Sequence, residues 1–250
     1  HPVQMAEEVS VLDELSEGRV ILGVGRGYQS GMFEVFQTPA SEKRQRFEDA
    51  LERMIGAWRG DAVGYDVAAK DAKPGTRGEP IYLSPKPVQK PHPPVWVAAF
   101  GPKALEQAGR LGLPYLASPV ETLFALEKNF ALHRKAFERA VGAEPRATPI
   151  MRTVFVSRDE TQLAKVREGL AKQSVQRSNS AISSIRRSAG VSAEDWTIVG
   201  EPEEVQEKIN MYRERLGLTH LIASGTRLGA LTPVEIEASV ELLAEVTAKV

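Results

Sequence analysis

The chain has 250 residues, enough for one large domain or two small ones, and its 32 Lys and Arg nearly balance 33 Asp and Glu. No global field therefore draws it to nucleic acid or an acidic membrane, and a small or neutral partner is the default. The absence of cysteine excludes disulfides, thiolate metal sites and cysteine nucleophiles.

The four histidines, His1, His92, His133 and His220, are scattered without a metal-ligand pair at helical spacing, so no metal is expected. No apolar run reaches the roughly eighteen residues needed to span a bilayer, and no signal peptide opens the sequence. The expectation is a soluble, cytoplasmic chain.

In chain order, "HPVQMAEEVSVLDELSEGR" predicts a helix over 3–16 with Val9, Leu12 and Leu15 on one stripe and Gly18 as its stop. Val20, Ile21 and Leu22 read as a short buried strand within 19–24. A helix over 42–58 carries Phe47, Leu51, Met54, Ile55 and Trp58, and 60–94 is a Gly-, Pro- and charge-rich excursion broken by "IYLS". "PVWVAA" predicts a strand, "GPKALEQAGRLGL" a helix with Gly101 as cap and Pro102 in the first turn, and "PYLAS" a further strand. A helix over 121–141 leads to the strand "PIMRTVFVS", then to "RDETQLAKVREGLAK", where Asp159 and Gln162 fit a capping box. Residues 174–199 are serine-rich and locally basic and read as a mobile excursion. "GEPEEVQEKINMYRERLG" is helical, "THLIAS" a strand, and the terminal helix opens with Thr232 as cap, Pro233 in the first turn and Glu235 closing a capping box. This alternation predicts a parallel sheet with crossover helices, either open or closed.

The stretch "RVILGVGRGYQSGMF" first suggests a dinucleotide loop, but the sixth position counted from Gly23 is Tyr28 rather than glycine. No acidic residue closes a second strand about 20 residues on, so the Rossmann fingerprint does not fit. In α/β folds the loop leaving a strand's carboxyl end lies on the functional face, which places Arg26 where ligands bind. The next helix opens "SEKRQRF", putting Lys43, Arg44 and Arg46 where the helix dipole favours anions over cations. A bound anion would explain this; local pairs of Arg44 with Glu48 and of Arg26 with Glu34 are the structural alternatives.

The block "HPVQMAEEVSVLDELSEGRVILGVGRGYQSGMFEVF" resembles the bacterial luciferase-like flavin-dependent monooxygenases, as do "PKPVQKPHPPVWVAA", "GLPYLAS" and "VGEPEEVQEKI". The resemblance implies an α/β fold of the (β/α)8 TIM-barrel type in a single domain over 1–250. The chain would lack about the first three strand–helix units and be incomplete as a catalyst. It implies reduced FMN as cofactor, with a deazaflavin as the alternative, and molecular oxygen and a small organic substrate as reactants. A flavin reductase is a candidate partner and a homo-oligomer the expected assembly, with no nucleic acid or membrane involved. Arg26 matches the family's phosphate-binding arginine and Arg44 a second one; Gly25, Gly27 and Gly101 complete the expected cofactor site. Gly101 and Ala104 stand where the family offers hydroxyls. Tyr28 and Phe33 are candidates to touch flavin or substrate, and Arg177, Arg186 and Arg187 to approach a phosphate. His1 and His92 are assigned surface or packing roles, so the catalytic acid–base residue is unknown. A flavin-binding protein without turnover is the remaining alternative.

Overall fold

The computed structural model describes residues 1–27, 29–66, 76–178, 192–225 and 231–248. Two compact units make up the chain, His1–Trp96 and Val97–Val250.

In the first unit, helix α1 spans Pro2–Leu15, with Pro2 in its first turn and the His1 ring accepting from the Val3 amide. Its buried face is Ala6, Val9, Ser10 and Asp13, whereas Leu12 and Leu15 are 55% and 76% exposed, so the expected apolar stripe is displaced. The partners decide this. Trp58 donates its indole N–H to the Ala6 carbonyl at 2.9 Å, and Ser10 donates to the same carbonyl. Gln89 donates backbone and side-chain N–H to the Asp13 carboxylate at 2.9 and 2.7 Å. Polar side chains with partners are stable inside, and α1 buries the face that offers them. Gly18, at φ +77°, donates to the Asp13 carbonyl and closes the helix as expected.

Helix α2 spans Ser30–Val35, and helix α3, Lys43–Arg59, buries Leu51, Met54, Ala57 and Trp58 and stops at Gly60, whose φ is +112°. Trp58 stacks on His92 with ring centroids 5.9 Å apart, giving His92 the packing role expected for it. Strand β1, Leu22–Gly25, begins where Leu22 donates to the Pro94 carbonyl. In the 60–94 excursion, β2 (Gly64–Tyr65) pairs antiparallel with β3 (Pro80–Ile81), part of the "IYLS" segment.

In the second unit, Val97 and Ala98 of β4 (Val95–Ala98) pair in parallel with Tyr115 and Leu116 of β5 (Tyr115–Leu116). A parallel bridge joins Ala117 to Ile150 of β6, Pro149–Val156. β6 also pairs in parallel with β7 (Thr197–Gly200) and β8 (His220–Ser224). Helices α4 (Pro102–Arg110), α5 (Leu123–Val141), α6 (Glu160–Ser178) and α7 (Pro202–Leu216) supply the crossovers such pairing requires. Phe155, Leu163, Val166, Leu170 and Trp196 form the core between α6 and the strands. Helix α8, Pro233–Thr247, opens with the Thr232/Glu235 capping box. The Asp159 carboxylate caps α6 at the Thr161 amide (2.8 Å), but Gln162 accepts from the Ser157 hydroxyl, which in turn accepts from the Asp159 amide. The expected box is thus relayed through a serine. Within 174–199, α6 runs to Ser178 and a 3-10 turn at Ala193–Asp195 leads into β7, while 179–191 lie outside the described residues.

His133 on α5 is buried, with a ring nitrogen donating to the Leu113 carbonyl at 2.9 Å and Nδ1 without a hydrogen-bond partner among the described residues. Burial holds its pKa below the ordinary 6.5 despite the Leu113 bond, with Arg134 adding to the depression. The unfolded chain therefore binds the proton more readily, and stability falls as pH drops through about 6.5. Urea unfolding at pH 8 and pH 5 should show this loss, and His133→Gln should reduce it.

Candidate anion and cofactor site

Leu22 of β1 is half-buried, and Ile21 just ahead of the strand is 43% exposed, so the buried strand expected at 20–22 is not found. β1 reads LGVG: two of its four positions bring no side chain, and the strand has little to bury. Arg26 follows directly at its carboxyl end. Gly27 then turns the chain at φ +74°, and a Cβ there would lie 3.2 Å from the Phe33 ring, so glycine serves both the turn and the close approach of the aromatic.

A cleft of about 460 Å³ opens here, lined by Gly25, Arg26, Gly27, Phe33, Phe36 and Thr38 among others. Burial holds the Arg26 pKa below its usual range; the Arg44 charge adds to this, and Glu48 opposes it. Arg26, Arg44 and Glu48 thus share one electrostatic neighbourhood. Arg44 also forms the pair with Glu48 foreseen as its structural role, at 3.8 Å, worth about 0.3–0.5 kcal/mol on an exposed helix. Arg46 turns away to Glu42 at 2.8 Å. The Lys43 ammonium stands over the Phe33 ring, 5.6 Å from its centroid. Of the residues expected to bind cofactor, Gly25, Arg26 and Gly27 line one cleft, with Arg44 in its field. Tyr28 lies outside the described residues, as do Arg186 and Arg187. The lining contributed by Gln29, Met32, Phe36 and Thr38 was not foreseen; α2, which brings Met32 there, forms inside what reads as loop.

Gly101 belongs to the second unit, where it caps α4 at φ +78°. Pro102 has no N–H, and the Ala104 amide bonds the Gly101 carbonyl at 3.0 Å.

The same unit holds a buried polar network that sequence reasoning missed. Arg152, fully buried in β6, donates to the carbonyls of Ser118, Met151 and Glu121 at 2.7–2.8 Å and to the Tyr212 hydroxyl at 3.0 Å. Glu121 accepts from the Tyr115 hydroxyl (2.6 Å), the Ser118 amide (2.9 Å) and Asn129 (2.6 Å). Burial raises the Glu121 pKa, with these bonds and Arg152 working against it, and burial raises Tyr115 as well. The network clamps the segment leaving β5, which lies at a strand's carboxyl end. A lone arginine inside the apolar run of β6 was the signal for it.

Among the described residues, no group of three His, Asp or Glu could hold a metal, and no helix is long and apolar enough to cross a membrane.

Comparison with known proteins supports the same frame. The oxygenase component of a flavin-dependent trigonelline monooxygenase of Acinetobacter baylyi is 31% identical over 123 residues, covering 48% of this chain and 32% of that protein. The chain thus spans about a third of the curated relatives it matches. The oxygenating constituent of 3,6-diketocamphane monooxygenase of Pseudomonas putida, solved with FMN, superimposes with a TM-score of 0.70 at 18% identity, over 98% of this chain and 74% of that one. A coenzyme F420 dependent tetrahydromethanopterin reductase of Methanopyrus kandleri gives 0.67 at 19% identity, over 98% and 78%. The fold is therefore the α/β barrel type of these neighbours, of which the chain represents about three quarters. The model of the luciferase-like monooxygenases matches residues 1–220, and with parallel strands and an arginine-bearing glycine loop in place, the chain belongs to that family.

Proposed function

We propose that this chain is part of a flavin-dependent oxidoreductase that holds the phosphate of reduced FMN with Arg26 and Arg44 and uses it with molecular oxygen on a small organic substrate. The observation that carries the reading is a cleft at a strand's carboxyl end lined by Gly25, Arg26 and Gly27, with the Arg44 charge felt at Arg26. Gly25 and Gly27 let backbone approach the ligand. When bound, reduced flavin supplies the electrons for oxygen activation. The protein's own part is placement: the Arg26 fork fixes the phosphate, while Phe33, Phe36 and Met32 give the cleft an apolar wall. A reductase partner is supported by the "oxygenase component" in the relative's name, and a homo-oligomer completes the proposal.

A deazaflavin used for hydride transfer is the second reading, supported by the F420-dependent neighbour and by the lack of hydroxyls at Gly101 and Ala104. The test is a fluorescence titration of the chain with FMN and with coenzyme F420, followed by oxygen uptake with reduced FMN and a panel of aldehydes. FMN binding with substrate-dependent uptake supports the proposal, binding of F420 alone favours the second reading, and binding of neither overturns both.

A further inference from the structure

Resting on the reading of the chain as part of an enzyme that takes a small organic substrate, we propose that Ser118 donates a hydrogen bond to an uncharged oxygen of that substrate, with Glu121 and Arg152 as the residues that position it.

Side-chain alternation along β5 sets the face. Tyr115 packs on the Phe130 and His133 rings of α5, with centroids 4.9 and 6.1 Å away. Ala117, two residues on, is fully buried and bridges to Ile150. Leu116 and Ser118 therefore belong to the other face of the sheet, away from α5. In a barrel that face is the interior, and ligands bind where the strands end at their carboxyl side, which is where Ser118 stands.

Both backbone groups of Ser118 are held from behind. Its amide donates to Glu121 Oε2 at 2.9 Å, and its carbonyl accepts from Arg152 Nη1 at 2.7 Å. The two anchors are fixed in turn: the Tyr115 hydroxyl and Asn129 donate to the Glu121 carboxylate, and Arg152 donates to the Glu121 carbonyl and the Tyr212 hydroxyl. Well-packed apolar side chains often stabilise a core as well as a buried charged network does, so stability alone does not call for a guanidinium here. What the network supplies is a fixed position for the residue it grips, as a binding group requires. The Ser118 hydroxyl accepts from the Val120 amide at 3.4 Å, and among the described residues nothing accepts its own proton. An uncharged O–H donor suits an uncharged acceptor such as a carbonyl oxygen.

Two probes that differ only in C=O against C=CH2, decanal and 1-undecene, test this by calorimetric titration of the full chain. The wild-type chain should prefer decanal. Ser118→Ala should lower that preference about two- to tenfold, the range for one neutral hydrogen bond, by weakening decanal while leaving 1-undecene unchanged. Ser118→Thr keeps the hydroxyl and should keep the preference. The infrared carbonyl stretch of bound decanal should lie lower in wild type than in Ser118→Ala. Glu121→Gln should lower the preference too and add little to Ser118→Ala, because both act through one hydroxyl, whereas a purely structural role would weaken both probes alike. A wild-type chain without the preference, or a preference that Ser118→Ala leaves intact, overturns the inference. FMN titration of the wild-type chain is read separately. If FMN binds while Ser118→Ala has no effect on decanal, the inference fails and the flavin reading stands; if FMN does not bind, the flavin reading fails and the carbonyl preference alone decides the inference.

Discussion

Replacing Arg26 with alanine should weaken FMN binding about ten- to a hundredfold, corresponding to roughly 1.5–3 kcal/mol for a hydrogen bond to a charged group. The loss should largely vanish for riboflavin, which has the ring but no phosphate. Arg26 follows directly on β1, so its backbone is fixed by the strand and by the turn at Gly27, and an alanine there removes the fork without moving the loop. Arg26→Lys should recover part of the affinity, since a point charge cannot reproduce two parallel N–H bonds. Removing Arg26 also relieves its repulsion of Arg44, which then turns more fully to Glu48, so the measured loss should fall toward the lower end of the range. Equal weakening for both ligands would make Arg26 a brace of the loop and remove the phosphate from this cleft.

The candidate cleft was legible in the sequence because its signals are local. A strand ending in glycines, an arginine directly after it and cations at a helix start are adjacent in the chain, and the structure places Arg26 and Arg44 in one electrostatic neighbourhood. The same holds for the Gly101 cap, the Thr232/Glu235 box and the Gly18 stop, each fixed within about five residues. The errors come from distant partners. Leu12 and Leu15 lie at helical spacing from Val9, yet Trp58 and Gln89 reach α1 from 52 and 76 residues away and select the face bearing Ala6 and Asp13 instead. Periodicity cannot see a polar residue whose partner is far along the chain. Arg152 went unnoticed for the same reason, since its acceptors at Ser118 and Tyr212 lie 34 and 60 residues away.

Arg152→Ala should be among the most destabilising single changes in the second unit, costing about 3–5 kcal/mol, the range for removing one member of a buried charged network. The arginine is fully buried in β6 and serves four acceptors: the carbonyls of Ser118, Met151 and Glu121 and the Tyr212 hydroxyl. Truncation leaves these groups unsatisfied away from water and opens a void beside the Tyr212 ring, over which the guanidinium sits at 5.2 Å. Arg152→Met refills much of the volume but none of the hydrogen bonds, so it should remain well below wild type. The pH dependence separates this from a simple cavity. Burial raises the folded Glu121 pKa and the Arg152 charge restrains that rise. With a raised folded value, the folded state holds the proton more tightly than the unfolded chain, and stability declines as pH rises from about 4.5 toward the folded pKa. Losing Arg152 moves that folded pKa higher, so the decline continues over a wider range. Urea unfolding should therefore show an Arg152→Ala deficit larger at pH 8 than at pH 4.5, and Glu121→Gln in the same background should flatten the difference. A deficit under about 1 kcal/mol, or one equal at both pH values, would mean that water replaces the guanidinium and that the segment leaving β5 is held by Glu121 and its own donors.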